Sequence, residues 1–328
     1  MSAARSAFFR PKWLAGLTLC AAAALAPAAA QERYPDKPVK LLTNFPAGGP
    51  LDILGRALAI PLQAELGSPF VVDNRPGAGG NIGADTVAKS AADGYTVLLS
   101  IDTTFTINPH VYPSMPFAPK DLKPLMVVSS SGLAFGVNPS VEAKTLPQFV
   151  DAARAREMSF GSAGNGSPGH LAAEIFGNAT GSKILHVPYK GNAPAVTALL
   201  AGEVQAGILA TPGLLPHIQA GKVRALAVTG RQRAPLLPQV PTVTELGLPR
   251  LTFEVLYLAM VPAATPEPVM SRLRSALTRA LATPEVKQRL ESLDMVALGE
   301  TGQAAADRLA ANSQRYAAVV KATGMKAE

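Results

Sequence analysis

The run Val39-Lys40-Leu41-Leu42-Thr43-Asn44-Phe45-Pro46-Ala47-Gly48-Gly49-Pro50-Leu51-Asp52 holds the pattern from which the fold is read. An apolar stretch of strand length leads into a turn rich in proline and glycine. An amphipathic segment, expected to be helical over 52–66, follows at once. The same strand–turn–helix sequence recurs at Asn74-Arg75-Pro76-Gly77-Ala78-Gly79-Gly80-Asn81, and again from Gly161 to His170. Units of this kind build an α/β fold around a mainly parallel sheet.

Working outward, strands are expected at 39–44, 70–73, 95–100, 158–161, 184–187, 204–210, 223–229 and 253–261. Helices are expected at 52–66, 81–90, 146–156, 168–178, 193–201, 267–282, 284–293 and 302–323. Pro61 falls inside the first helix and is expected to kink or split it. In helix 267–282, Val269, Leu273, Ala276, Leu277, Ala280 and Leu281 share one face. Two extended apolar stretches, 125–137 and 253–261, bracket a central block that has its own strands and helices. That layout is expected of one domain inserted into another: 31–130 with 255–328 as the first, 131–254 as the second.

The chain has 328 residues, 48% hydrophobic and 16% charged, which excludes disorder and suits two domains. Its first thirty residues look like an export signal. Arg5, Arg10 and Lys12 precede an uncharged apolar run from Trp13 to Ala26, then Ala28-Ala29-Ala30. That run is too short to span a membrane, which needs about 20 residues. Lipoprotein processing at Cys20 fits poorly, because Leu19 stands where a small residue is required. Loss of residues 1–30 leaves 27 basic against 23 acidic residues, a net charge of +4, and removes the chain's one cysteine and one tryptophan. Thiol chemistry and disulfides are then excluded. So mild a charge, with no basic run interleaved with aromatics, excludes nucleic acid as a partner.

The three glycine-rich turns carry the functional expectation. Glycine permits positive φ and lets a ligand approach the backbone. A helix that starts at such a turn aims unpaired N–H groups and partial positive charge beyond its end. Such turns sit at the carboxyl ends of strands, where open α/β sheets bind ligands. Three converging turns are expected to cradle a small anion. Each also has a plainer role as a tight connection: Ser167-Pro168 reads as N-cap and first helical residue, and Asp52 as a favourable charge at a helix start.

Enzyme readings fare worse. Gly164-Asn165-Gly166-Ser167-Pro168-Gly169 matches the dinucleotide fingerprint, but no Asp or Glu lies between Glu174 and Glu203 to hold a ribose. A secreted serine hydrolase acting on a small ester or amide through Ser162 or Ser167 is the alternative. Both serines miss the GxSxG elbow by one residue.

Taken in order, the motifs resemble one family. They include Tyr34-Pro35, Pro46-Ala47-Gly48-Gly49 with Asp52 and Arg56, Asn74 to Gly83, Asp93-Gly94-Tyr95-Thr96, and Ser162-Ala163-Gly164 with His170-Leu171. His186-Val187-Pro188-Tyr189-Lys190-Gly191, Ala220 to Val228 and Pro241 to Gly247 complete the series. The chain is similar to the Bug family, extracytoplasmic solute receptors of tripartite tricarboxylate transporters, over essentially its whole mature length. The resemblance implies a periplasmic binding protein of the two-crossing (type II) kind, with two α/β domains and a ligand cleft between them. It implies no catalysis and no cofactor or metal, a monomer, a small organic carboxylate as ligand, and the membrane subunits of such a transporter as partner. By position it implies ligand contacts from Phe45, Ala47, Gly48, Gly49 and Asp52, with Gly79, Thr103 and Thr104 on the same side. Ser162, Gly164, Asn165, Ser167 and His170 would face them, and Tyr189, Gly191 and Thr211 would complete the second wall. Two departures bear on ligand choice. Gln205 stands where many relatives have Asp, and Leu256 and Leu258 stand where relatives often have Trp and Gly.

Overall fold

A computed structural model describes residues 34–326, so the expected export segment at 1–30, with Cys20, lies outside the described residues. Val39–Thr43 (β1), Phe70–Asn74 (β2) and Thr96–Ile101 (β3) pair in parallel with β1 central. Leu122–Val137 (β4) is a long strand that serves two sheets. Met158–Ser162 (β5) pairs in parallel with Ile184–Pro188 (β6) and with Ala206–Ala210 (β7). Arg224–Val228 (β8), Glu254–Pro262 (β9) and Val296–Thr301 (β10) complete the strands.

The topology follows from the length of β4. Along Leu122–Gly132 it lies antiparallel to β9, with β10 on its other edge. From Leu133 onward its partners change to β7 and β8. One half of the molecule is therefore ordered β2-β1-β3-β9-β4-β10, and the other β8-β4-β7-β5-β6. Strands β4 and β9 are the two crossings, hydrogen-bonded to each other where the halves meet.

Helices cover both halves. The first carries Pro50–Leu66 (α1), Asn81–Ala88 (α2), Thr103–Thr106 (α3) and Asn108–Val111 (α4). The second carries Leu146–Ala155 (α5), Pro168–Thr180 (α6), Asn192–Ala201 (α7) and Thr211–Gln219 (α8). The chain then returns with Glu267–Ala282 (α9), Pro284–Ser292 (α10) and Gly302–Thr323 (α11). The second half is centred on Phe135, whose ring lies 5.1 Å from Phe149, 5.3 Å from Phe160 and 5.0 Å from Phe176. Edge-to-face packing of this kind adds to the area the rings bury and ties β4 to its helices.

Four points depart from the sequence expectation. Pairing at the centre is antiparallel and the parallel blocks are confined to the flanks, because both crossings run against their neighbours. Pro61 does not split α1: Leu54, Leu58 and Leu62 bury one continuous face, and the Ala57 carbonyl that loses its donor is only partly buried. On α9 it is Met270 that is buried with Leu273, Ala276, Leu277, Ala280 and Leu281, while Val269 is partly buried. Strand β10 and helix α8 were not expected. The first has no buried apolar run, and the second holds Pro212 and Pro216, which read as loop.

Candidate functional site

A crevice of about 620 Å³, its open mouth included, lies between the two halves. Its rim is built from turns. The first-half corner supplies Phe45, Pro46, Ala47, Gly49, Pro50 and Leu51. The second half answers with Ala163, Pro168 and Gly169 at the start of α6, and Asn192 and Ala193 at the start of α7. Its floor is strand: Ile101 from β3, Leu133 from β4, Leu209 from β7, and Val255 and Tyr257 from β9.

Three helices begin at this rim, and each beginning leaves backbone donors unused. In α1 the first intrahelical bond runs from Ile53 N–H to the Gly49 carbonyl, and Pro50 at the first position has no donor. The Leu51 N–H therefore has no partner inside its helix. In α6, Ser167 Oγ accepts from His170 N–H and its carbonyl accepts from Leu171 N–H, which leaves Gly169 N–H free of the helix. In α7 the first bond, Ala195 N–H to Gly191 carbonyl, leaves Ala193 N–H in the same position. Leu51, Gly169 and Ala193 all line the crevice. Proline at the first helical position, which costs no hydrogen bond there, is the local reason both α1 and α6 start so sharply. Converging helix starts make an anion-binding surface without a basic side chain.

The corner at 45–50 is braced from behind. The Asp52 carboxylate, 4% exposed, accepts from Gly48 N–H at 3.0 Å, from Asn74 Nδ2 at 3.1 Å and from both Nε and Nη2 of Arg56. Burial works against its charge, but Arg56, the Gly48 N–H and Asn74 outweigh it and hold the carboxyl below the usual carboxylate range. Gly48 and Asp52 thus shape the corner, while Phe45, Ala47 and Gly49 line the crevice.

The second glycine corner does not line it. Gly79 and Gly80 sit over a buried amide network in which Asn44 Nδ2 donates to the Gly80 carbonyl, Ser100 Oγ and Thr104 Oγ1. Thr104 Oγ1 and Asn108 Nδ2 both donate to the Gly79 carbonyl. Thr103 is 1% exposed at the start of α3. Beneath them Asp102 is fully buried; its carboxylate accepts from Leu256 N–H and from Asn312 Nδ2, each at 3.1 Å. Burial raises its pKa to about 7 despite those donors.

In the second half the Ser162 to Ser167 turn is held by two stacked histidines. The rings of His170 and His186 lie 3.8 Å apart and within 4° of parallel. Gly166 N–H donates to His170 Nδ1 at 3.3 Å, and Gly164 N–H donates to Ser162 Oγ, which lies 2.6 Å from His186 Nε2. Burial, aided by the neighbouring His186, lowers the pKa of His170 to about 3, and burial lowers that of His186 to about 4. Both rings are therefore neutral around neutral pH, and His170 Nδ1 is available as an acceptor. Ser162 does have a histidine partner, one that sequence reasoning did not pair with it. Its hydroxyl is spent on the turn and it does not line the crevice.

The remaining expected residues do not line the crevice. Gly191 touches the opposite half: a Cβ there would lie 2.8 Å from Pro46 Cγ. Asn165 meets it too, its carbonyl accepting from the Tyr112 hydroxyl at 3.4 Å. The Tyr189 hydroxyl donates to Glu203, and Thr211 Oγ1 donates to the Gly132 carbonyl. Gln205 precedes β7 at the end of the strand away from the crevice, where its side chain accepts from Ser159 N–H. Leu256 and Leu258 face a core with Leu42 and Leu98, while Val255 and Tyr257 face the crevice. The floor is what sequence reasoning missed. The signal was the alternation along β9, once its register placed Tyr257 opposite Ile101.

Residues 54–325 match the profile of the TctC family, described as tripartite tricarboxylate transporter family receptor. BugT of Bordetella pertussis (strain Tohama I) is 37% identical over 95% of this chain and 96% of its own. The solved periplasmic binding protein BugD superposes with a TM-score of 0.85 at 30% identity, over 90% of this chain and 100% of its own. An R. palustris protein solved with adipate superposes with a TM-score of 0.86 at 32% identity, over 90% of this chain and 100% of its own.

Proposed function

The chain belongs to the tripartite tricarboxylate transporter receptor family, and on that premise we propose that it captures a small organic carboxylate in the crevice between its halves. The family and the solved neighbours are solute-binding receptors, not enzymes. The observation that carries the reading is the meeting of three helix starts, one from the first half and two from the second, on a single crevice. Backbone donors from both halves reach one anion only when the halves are together, so binding favours the closed form.

In this reading the halves are the two domains, 31–130 with 255–328 and 131–254, and they move on β4 and β9. The mature protein works in the periplasm as a monomer and hands its ligand to the membrane subunits of a tripartite transporter. A relative solved with adipate supports the ligand class.

A thermal-shift screen of the protein from residue 31 onward, against a panel of carboxylates, tests this. A ligand present at about 100 times its dissociation constant stabilises by about 2.7 kcal/mol. A panel that produces no shift contradicts the proposal.

A further inference from the structure

We infer that the ligand is a monocarboxylate whose remaining body is apolar, a compact aliphatic or aromatic acid, with no second charge and no hydroxyl. The inference rests on the carboxylate reading and narrows it. It comes from the division of the crevice into two chemically different ends.

The donors all lie at the rim. Leu51, Gly169 and Ala193, with their unused N–H groups, belong to the turns and helix starts. The floor offers nothing comparable. Ile101, Leu133, Leu209 and Val255 present hydrocarbon. Two lining side chains are polar, Tyr257 on the floor and Asn192 at the rim. The Tyr257 hydroxyl is 3.0 Å from Ser131 Oγ, both of them buried. Asn192 stands at the start of α7 with its Oδ1 accepting from Ala210 N–H, so its amide belongs to the rim. Much of the floor backbone is paired as well: Leu133 N–H donates to Thr229 Oγ1, the Gly132 carbonyl accepts from Thr211 Oγ1, β4 pairs with β7 and β9, and β3 pairs with β9. Among the described residues no Asp, Glu, Lys, Arg or His lines the crevice.

A second carboxylate pointed at this floor would give up its water and meet no donor, an uncompensated loss. A hydroxyl on the body would meet the same wall at smaller cost. A hydrocarbon body, in contrast, gains from every group it buries, and Phe45 and Pro46 continue the apolar surface to the rim.

Isothermal titration of the protein from residue 31 onward with acetate, butyrate and hexanoate, then benzoate, then adipate, malate and citrate, tests the inference. Affinity is expected to rise about fourfold for each added methylene, equivalent to about 0.8 kcal/mol. Adipate, which is hexanoate with its terminal methyl replaced by a second carboxylate, is expected to bind at least about 100-fold more weakly than hexanoate. Val255→Thr, close in shape, places a hydroxyl on the floor and is expected to move the hexanoate-to-adipate ratio toward adipate by about tenfold. Adipate, malate or citrate binding as tightly as hexanoate, or a ratio unmoved by Val255→Thr, overturns the inference and leaves the carboxylate reading standing. A panel in which no carboxylate binds overturns both.

Discussion

The two glycine corners of the first half look alike in sequence and behave differently in the fold. Both follow a strand of the same parallel block, and both open a helix. The corner at 45–50 turns its backbone to the crevice, with Gly49 in ordinary backbone (φ −80°) at the N-cap of α1. The corner at 77–81 turns inward over Asn44, Thr104 and Asn108, and its Gly80 has φ +92°. One corner offers unused donors to a ligand; the other consumes its polar groups holding the half together. A glycine-rich turn is therefore a scaffold or a binding surface according to what its helix start faces, and composition alone does not distinguish them.

The largest expected effect lies in the scaffold corner. A Cβ on Gly80 would come within 2.4 Å of Asn44 Nδ2 and 2.6 Å of Thr104 Oγ1. Gly80→Ala is expected to destabilise the protein by about 3 kcal/mol through backbone strain and lost hydrogen bonds. Thermal or urea unfolding measures it, and an unchanged midpoint would erase the distinction between the corners.

Next comes a pH trend rooted in the same network. Asp102 holds its proton more tightly when folded, so its contribution is complete below the unfolded value of 3.8 and is lost as pH rises through about 7. His170 and His186 act in the opposite sense. Their contribution is complete above 6.5 and is lost as pH falls through about 4 for His186 and about 3 for His170. The trends oppose each other, so Asp102→Asn separates them. Melting curves from about pH 5 to about pH 8 are expected to show the variant gaining on its parent as pH rises. A constant gap between the two would remove Asp102 from this role.

Smaller, and in the binding corner, is Gly49→Ala. Its backbone tolerates a side chain, and the nearest atom to the added Cβ is the Pro46 carbonyl oxygen at 3.4 Å. Unfolding is expected to be nearly unchanged, while the methyl at the rim weakens carboxylate binding about tenfold, or about 1.4 kcal/mol. The reverse result, a lower midpoint with intact binding, would exchange the roles of the two corners. Smallest is Arg56→Ala. The Arg56 side chain is 59% exposed, so its pairing with Asp52 is screened by water and its removal is expected to leave the unfolding midpoint nearly unchanged.

The strand–turn–helix units were legible because each apolar run ends at glycine or proline and is followed by a helical period. The crossings were legible as the two extended stretches that no glycine turn follows. Strand β10 was not, since Val296 is exposed and the strand is held through its pairing with β4 rather than by a buried face. At the site, Pro46 to Gly49 advertised the rim. The floor did not advertise itself: Val255 and Tyr257 differ from Leu256 and Leu258 only in parity, and parity acquires meaning once the register with β3 is known. The histidine pair was hidden for a similar reason, since His170 on α6 and His186 on β6 meet only through folding.

The central claim is that backbone donors at three helix starts select for negative charge. Titration calorimetry of the protein from residue 31 onward with two matched pairs, benzoate against benzamide and adipate against adipamide, tests it most directly. Each amide keeps the shape of its acid and lacks the charge. The account predicts that within at least one pair the acid binds and its amide binds at least about 100-fold more weakly. Amides that bind as tightly as their acids would contradict it.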